Sequence, residues 1–151
     1  MISKSKEEYL KTIYVLNKQK GKVRVTDIAE KMNCSKPSVT KQLNILSNNN
    51  LIEYESYGDI KLTSDGINLA KKVLADYDIL YLLLHDVIGV DESVSREDAS
   101  KIKNVISSES LEKVSSYLYD ALDFNKLNCN FNIRNESCRE CITKKGIKRV
   151  W

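Results

Sequence analysis

The segment from Ser35 to Asn50 holds the side chains whose chemistry is easiest to interpret, and it contains no carboxylate. At helical spacing, one side of it presents hydroxyl, amide and ammonium groups from Lys36, Ser38, Thr40, Lys41, Asn44 and Asn48. A helix that enters the major groove of DNA needs such donors and acceptors and does not tolerate acids that face phosphates. The segment therefore predicts a DNA-contacting helix. The alternative is a helical hairpin with a solvated polar face.

The candidate DNA-contacting residues follow from this pattern. Lys36 and Lys41 would largely set the salt dependence of binding, because each can neutralise a phosphate. Residues in the first turn of the helix would shape the reading of bases. The full candidate set is Thr26, Ser35, Lys36, Pro37, Ser38, Thr40, Lys41 and Asn44.

Three cysteines near the end of the chain form the second candidate site. Cys129, Cys138 and Cys141 are separated by gaps of eight and two residues, and the two-residue gap lets two thiolates reach one ion. The candidate cofactors are zinc, with a fourth ligand from water, a carboxylate, His85 or another subunit, and an iron–sulfur cluster. A reversible disulfide between Cys138 and Cys141 and a set of unligated thiols are the alternatives.

Other reactive side chains give weaker patterns. His85 is the only histidine and shares a helical face with Asp78 and Tyr81, an arrangement more typical of a hydrogen-bonded histidine than of a metal ligand. Cys34 is expected to pack against the core. No paired-carboxylate motif and no glycine-rich phosphate loop is present, so we predict that the chain is not an enzyme.

Composition favours a mostly α-helical protein, because 151 residues include one proline and five glycines. Formal charge is uneven: residues 1–63 sum to +4, residues 64–125 to −6 and residues 126–151 to +5. A basic head on an acidic middle suits a nucleic-acid-binding protein. The start of the chain lacks an apolar signal-peptide core and no long apolar run occurs, so we expect a cytoplasmic protein that does not span a membrane.

The first 63 residues predict a winged helix-turn-helix. Ser5 and Glu8 fit a capping box for a first helix, and residues 23–25 fit a short extended piece. Thr26 and Ser35 are the expected N-caps of the next two helices. Period-two alternation from Leu51 to Thr63, with a tip around residues 56–59, predicts the β-hairpin that forms the wing.

Residues 64–124 predict a helical dimerisation domain. A long helix would start at Thr63 or Ser64, run to about Ile88 and stop at Gly89. Its stretch ILYLLL is apolar on all sides, which suggests burial in a dimer interface. A further helix would begin at Ser95 and turn Ala99, Ile102 and Val105 inward, and another would begin at Ser108. Residues 125–151 form a basic, cysteine-containing tail.

In the order and spacing of these motifs, the chain resembles the diphtheria-toxin-repressor and manganese-transport-regulator family of metal-dependent transcriptional repressors. The resemblance covers nearly everything from Lys6 to Leu122. It implies a homodimer whose DNA affinity is normally switched on by metal, with Ser35, Pro37 and Lys41 at positions that approach bases. It rests on EEYLKTIYVL, VRVTDIAEKMNCSKPSVTKQL, LTSDG, VIGVDES and EDASKIKNVISSESLEKV.

The metal ligands that the resemblance implies are mostly replaced. They would fall at Glu8, Lys11, Tyr77, Ser100, Lys103 and Asn104. Only Glu8 is a good ligand for a hard cation, and lysine has no lone pair when charged. Tyr81 and Arg96 stand where a further carboxylate and a histidine would be expected. We therefore predict that the usual Mn²⁺/Fe²⁺ site is lost.

The lysines suggest a physical substitute for the metal. Lys11 and Lys103 could place ammonium groups beside Glu8, where the family holds a cation, and leave the protein permanently competent to bind DNA. Surface lysines without a role are the alternative interpretation. The sequence thus predicts a sequence-specific DNA-binding regulator, a repressor, that binds an inverted repeat of double-stranded DNA as a homodimer. The alternatives are a redox- or iron–sulfur-sensing regulator that uses the tail cysteines, and a winged-helix module that binds a protein.

Overall fold

The structure, a computed structural model, describes residues 4–55, 58–122, 132 and 135–138. Most of these residues are helical, as the composition predicts. The elements are α1 (Lys4–Lys20), α2 (Val25–Met32), α3 (Lys36–Asn48), β1 (Ile52–Glu53), β2 (Lys61–Leu62), α4 (Ser64–Leu82), a π-helical segment (Leu83–Ile88), α5 (Glu92–Ile102) and α6 (Ser108–Ala121). The chain divides into two compact units, residues 1–73 and 74–151, with the division inside α4.

Apolar side chains from the helices and from β1 build the core of the first unit. Helix α1 is covered on a broad face, with Leu10 and Ile13 fully buried, and α2 contributes Ile28. The side of α3 opposite its polar residues is apolar and buried, since Val39, Leu43 and Leu46 are all 0% exposed. This burial fixes α3 by one side and leaves its polar side free to face solvent.

The predicted β-hairpin is present, and it is shorter than the alternation suggests. Strands β1 and β2 pair antiparallel, with Ile52 opposite Leu62 and Glu53 opposite Lys61. Ile60 donates its backbone N–H to the Val23 carbonyl at 3.1 Å, which ties the hairpin to the segment before α2. Two residues of the predicted tip, 56 and 57, lie outside the described residues.

Two predicted helix starts in the first unit are wrong. Helix α1 begins by Lys4, so Ser5 lies inside it and does not cap it. Helix α2 begins at Val25 with Arg24 as N-cap, not at Thr26. The Asp27 carboxylate accepts a hydrogen bond from the Arg24 backbone N–H at 2.9 Å, and this contact fixes the start two residues earlier than a threonine cap would.

The second unit has its own apolar core. Ile79 and Leu82 of α4 and Val87 of the π-helical segment pack with Leu118 of α6 and Leu122. The long predicted helix is interrupted, since α4 gives way to π-helical geometry from Leu83 to Ile88. Its predicted end is confirmed: Gly89 has φ +88°, a left-handed conformation that glycine adopts without strain.

Helix α5 starts earlier than predicted. The Asp91 carboxylate accepts from the Ser93 backbone N–H at 2.9 Å, so α5 begins at Glu92 and Ser95 lies inside it. Ala99 is buried as expected, but Val105 is 80% exposed. The helical spacing does not extend to Val105, because α5 ends at Ile102. The predicted start of α6 at Ser108 is confirmed, with Ser107 as its N-cap.

Candidate nucleic-acid interface and the family metal positions

The outward side of α3 collects most of the candidate DNA-contacting residues on one surface. Lys36, Pro37, Lys41 and Asn44 are exposed and Thr40 is half-buried. Together with Ile45 and Asn48 they line an open groove of ≈ 660 Å³. The groove wall carries two ammonium groups, a hydroxyl and two amides, and no carboxylate. Such a surface can meet both the phosphates and the base edges of a duplex.

The start of α3 is fixed by two serines. Ser35 is the N-cap, and its hydroxyl oxygen accepts from the Ser38 backbone N–H at 3.3 Å. The two serine hydroxyl oxygens lie 2.8 Å apart. Pro37 occupies the first turn, where its missing N–H has no intrahelical partner to lose. Ser35 therefore positions the first turn, in which Lys36, Pro37 and Ser38 are exposed.

The turn between α2 and α3 contacts α1. Asn33 ends α2 in the left-handed conformation, and Cys34 donates its backbone N–H to the Ala29 carbonyl at 3.0 Å. The Cys34 sulfur lies 3.5 Å from the hydroxyl of Tyr9, a side chain only 6% exposed. Burial, together with the neighbouring thiol, raises the pKa of Tyr9 to about 12, so the phenol is neutral at physiological pH. Cys34 thus packs inward, as the sequence predicts.

An ion pair that was not predicted from the sequence joins the end of α1 to the start of α2. Lys20 Nζ lies 2.8 Å from Asp27 Oδ1, while the other carboxylate oxygen accepts from the Arg24 N–H. The hydrogen bond from Lys20, then the one from Arg24, lowers the pKa of Asp27. The carboxylate at the third residue of α2 is the sequence feature from which this contact could have been predicted. Thr26, the remaining candidate, is exposed beside this pair.

The described part of the hairpin is acidic. Glu53, Glu55 and Asp59 line a small cleft of ≈ 270 Å³ with Gly58 and Lys61. Asp59 also pairs with Lys22 at 3.6 Å. The wing cleft thus carries three carboxylates and one ammonium group, whereas the α3 groove carries two ammonium groups and no carboxylate.

In the first unit, the residues that stand at family metal positions pair with each other. Lys11 Nζ lies 2.5 Å from Glu8 Oε2, and both side chains are about one-third exposed or less, at 26% and 33%. The carboxylate that would ligate a cation thus has an ammonium group beside it. The sequence predicts that Lys11 and Lys103 both lie beside Glu8. The pairing with Lys11 is present, and the placement of Lys103 stays a prediction.

In the second unit, aromatic rings stand where the resemblance expects ligands. The rings of Tyr77 and Tyr81 stack at 6.4 Å between centroids, and those of Tyr81 and His85 stack at 5.3 Å. The Arg96 guanidinium lies 5.8 Å from the centre of the Tyr81 ring. Burial raises the pKa of Tyr77 and of Tyr81, so both phenols stay protonated and are poor ligands for hard cations.

The remaining family positions carry neutral or cationic groups. Asn104 donates from its amide to the Ser100 carbonyl oxygen at 3.0 Å. Lys103 is half-buried, and an ammonium group has no lone pair to offer a cation. In the part of the chain that the structure describes, no group of three or more His, Cys, Asp or Glu side chains could hold a metal ion. The donor set at the family positions does not fit Mn²⁺ or Fe²⁺.

The cysteine site of the tail stays a prediction. Cys129 and Cys141 lie outside the described residues, and Cys138 is half-buried with a free thiol. The described geometry therefore brings no second ligand to Cys138.

Two family profiles match consecutive parts of the chain. Residues 1–60 match the profile "Iron dependent repressor, N-terminal DNA binding domain", and residues 63–122 match "Iron dependent repressor, metal binding and dimerisation domain". The chain belongs to the iron-dependent repressor family. The family predicted from the sequence and the winged-helix plus helical-domain fold class are both confirmed.

Known relatives of this iron-dependent repressor family member are regulators. The chain is 31% identical over 118 residues to an uncharacterised HTH-type transcriptional regulator of Methanocaldococcus jannaschii. The match covers 78% of this chain and 94% of that protein. It is 34% identical over 114 residues to the HTH-type transcriptional regulator MntR of Bacillus subtilis, with 76% and 80% covered. These matches favour a transcriptional regulator over a protein-interaction module.

The fold is also similar to that of solved repressor-family structures. IdeR of T. acidophilum superimposes with a TM-score of 0.66 at 25% identity, over 78% of this chain. The chain spans only 55% of the length of that protein. Among the helices of the described residues, none combines the length and the apolar character needed to cross a membrane.

Proposed function

We propose that this chain is a DNA-binding transcriptional regulator, a repressor, that acts as a homodimer on an inverted repeat. The observation that carries the proposal is the exposed side of α3, which lacks carboxylates and presents Lys36, Lys41 and Asn44 beside one groove. Acids on such a surface would repel the backbone of DNA, and their absence removes that penalty. The regulator acts by binding in the cytoplasm and not by catalysis.

Each group on α3 has a separate role in the proposal. Lys36 and Lys41 contact phosphates and supply affinity that falls as salt rises. Pro37 and Ser38 are exposed in the first turn, where side chains of a recognition helix meet base edges. Thr40 and Asn44 follow at one-turn spacing and offer a hydroxyl and an amide for hydrogen bonds. Ser35 positions the turn, and Thr26 of α2 contacts the adjacent backbone.

The burial pattern behind α3 supports this assignment. Val39, Leu43 and Leu46 are fully buried, so α3 cannot rotate without exposing three large apolar side chains. Each such exposure costs about 1.5–3 kcal/mol. The polar side of α3 is therefore held outward before DNA arrives, and little ordering remains to oppose binding.

The family profile for residues 63–122 supports a homodimer, since it describes a dimerisation domain. Two copies of α3 related by a two-fold axis would enter successive major grooves about 34 Å apart. We propose zinc or an iron–sulfur cluster at Cys129, Cys138 and Cys141 as the resident cofactor. The spacing of two residues between Cys138 and Cys141 supports this.

The proposal is tested by selecting duplexes from a random pool and measuring affinity against salt concentration. We expect selected sequences with two-fold symmetry and an affinity that falls steeply with salt. The Lys41→Ala variant should reduce the slope of log K against log[salt] by about 0.9 for each lost phosphate contact, or about 1.8 per dimer. Lys113→Ala, an exposed lysine of α6, is the matched control and should keep the wild-type slope. Failure to enrich any duplex would contradict the proposal.

A further inference from the structure

We infer that side-chain contacts of this chain replace the divalent ion of its family, so that its DNA affinity does not respond to Mn²⁺ or Fe²⁺. The inference rests on the proposed function, because it concerns the control of the same DNA-binding surface. It is carried by contacts within each unit and by the charge of the groups at the six family positions.

In the first unit the substitute is an ion pair. The Lys11 ammonium group lies 2.5 Å from the Glu8 carboxylate, one turn along α1. A divalent ion would have to displace this ammonium group or share the carboxylate with it, at the cost of like-charge repulsion. The Lys11 ammonium group therefore supplies a permanent positive charge at a position where the family binds a cation from solution.

In the second unit the substitute is a brace between α4 and α5. Tyr77, Tyr81 and His85 stack along one side of α4 and the π-helical segment. Arg96 of α5 reaches across to the Tyr81 ring at 5.8 Å and bonds Glu92 at 2.6 Å. A guanidinium over an aromatic face joins two elements without any ion.

The Val90 carbonyl completes the brace at the junction of these elements. It accepts from His85 Nδ1 at 3.0 Å and from the Ser95 hydroxyl at 3.2 Å. Ser95 is 0% exposed, so this second contact is shielded from water. The only histidine of the chain thus makes a backbone contact at the residue before the α5 N-cap and a ring stack with Tyr81.

Charge decides against a cation at these positions. Of the six family positions one is a carboxylate, two are lysines and three are neutral. Among the described residues no three metal-binding side chains converge. In the first unit the fixed positive charge of Lys11 lies beside the one carboxylate, and it would repel a divalent ion bound there.

The first test measures duplex affinity of the full chain after metal is stripped with a chelator and the chelator is removed. Excess Mn²⁺ and, under anaerobic conditions, Fe²⁺ are then added. We expect the dissociation constant to change by less than threefold. Tightening of tenfold or more by either ion would overturn the inference while leaving the proposed function intact. If no duplex binds under any condition, the proposed function fails and the second test decides the inference by itself.

The second test needs no DNA. Calorimetric titration of the full chain with Mn²⁺ should show no saturable site outside the tail, which a Cys129→Ser, Cys138→Ser, Cys141→Ser triple variant isolates. Saturable binding that persists in the triple variant would overturn the inference.

A third measurement tests the brace. Arg96→Ala and Lys101→Ala each remove an exposed ion pair four residues apart on α5, but only Arg96 contacts a ring. Arg96→Ala should lower the melting temperature by about 1–4 °C more than Lys101→Ala, and Mn²⁺ should not restore it. Equal effects of the two substitutions, or rescue by Mn²⁺, would contradict the inference.

Discussion

Lys11 Nζ lies 2.5 Å from Glu8 Oε2, so the one carboxylate at the family metal positions is paired with an ammonium group of its own helix. A partly exposed pair at this spacing contributes only about 0.2–0.5 kcal/mol to helix stability. The pair matters for its charge, because the Lys11 ammonium group is covalently part of the chain and replaces an exchangeable cation.

The first prediction concerns the two lysines at family positions. If their ammonium groups substitute for metal, Lys11→Ala and Lys103→Ala should each weaken duplex binding by about 3–10-fold, which corresponds to about 0.6–1.4 kcal/mol. The loss should be the same with and without chelator. Lys72→Ala, an exposed lysine of α4, serves as control. Unchanged affinity in both variants would show that the lysines have no such role.

The second prediction concerns the start of α4. A Cβ added at Gly66 would lie 2.0 Å from the Leu51 carbonyl oxygen, a backbone atom that cannot move away freely. Gly66 also donates its N–H to the Thr63 hydroxyl at 3.1 Å, so the helix start is fixed in place. Gly66→Ala should lower the free energy of unfolding by at least about 1–3 kcal/mol.

Denaturant unfolding followed by circular dichroism measures this effect. Asn68→Ala, an exposed substitution two residues later in α4, should change stability by less than about 0.5 kcal/mol. A Gly66→Ala protein as stable as the Asn68→Ala control would mean that the approach of α4 to Leu51 is wrong.

The third prediction uses the acid dependence of stability. The pKa of Asp27 is lowered, first by the hydrogen bond from Lys20 and then by the one from Arg24. A carboxyl whose pKa is lower in the folded state stabilises the protein above its unfolded pKa, and this stabilisation is lost as pH falls through the folded pKa. Asp27→Asn should therefore be less stable at neutral pH and lose stability less steeply below about pH 5.

Urea unfolding of the wild type and Asp27→Asn at a series of pH values checks this sign. Asp65→Asn, an exposed acid in the first turn of α4, is the matched control and should follow the wild-type profile. Parallel pH profiles for the wild type and Asp27→Asn would contradict the ion pair.

The fourth prediction concerns the tail cysteines. If Cys129, Cys138 and Cys141 hold zinc, anaerobically purified protein should contain about one zinc per chain and no visible absorption, whereas an iron–sulfur cluster would give a brown protein. Cys138→Ser should release the metal in either case. Colourless, metal-free wild-type protein would exclude both cofactors.

Local chemistry explains which parts of the fold could be predicted. Ser35 and Pro37 mark the start of α3 because a hydroxyl cap and a proline at the first turn act within three residues of each other. The start of α2 was misplaced since Asp27 bonds the Arg24 N–H, a contact that competes with a cap at Thr26. Asp91 similarly starts α5 before Ser95, and the Asp-x-Ser pattern was present in the sequence.

Tertiary contacts explain what the sequence could not predict. The π-helical segment and the position of Arg96 over Tyr81 depend on how α4 and α5 pack, which no local pattern specifies. The resemblance implies the positions at which family ligands are replaced, and that assignment stays a prediction. The sequence could not reveal that the replacements at Tyr77 and Tyr81 stack with His85.

The central claim is that the outward side of α3 reads duplex DNA as part of a two-fold dimer. Hydroxyl-radical footprinting of the full chain on a selected duplex tests it most directly. We predict two symmetry-related protected regions whose centres lie about 34 Å, one helical turn, or a multiple of it apart. Both regions should weaken together in Lys41→Ala. A single asymmetric protected region, or protection unchanged by Lys41→Ala, would contradict the claim.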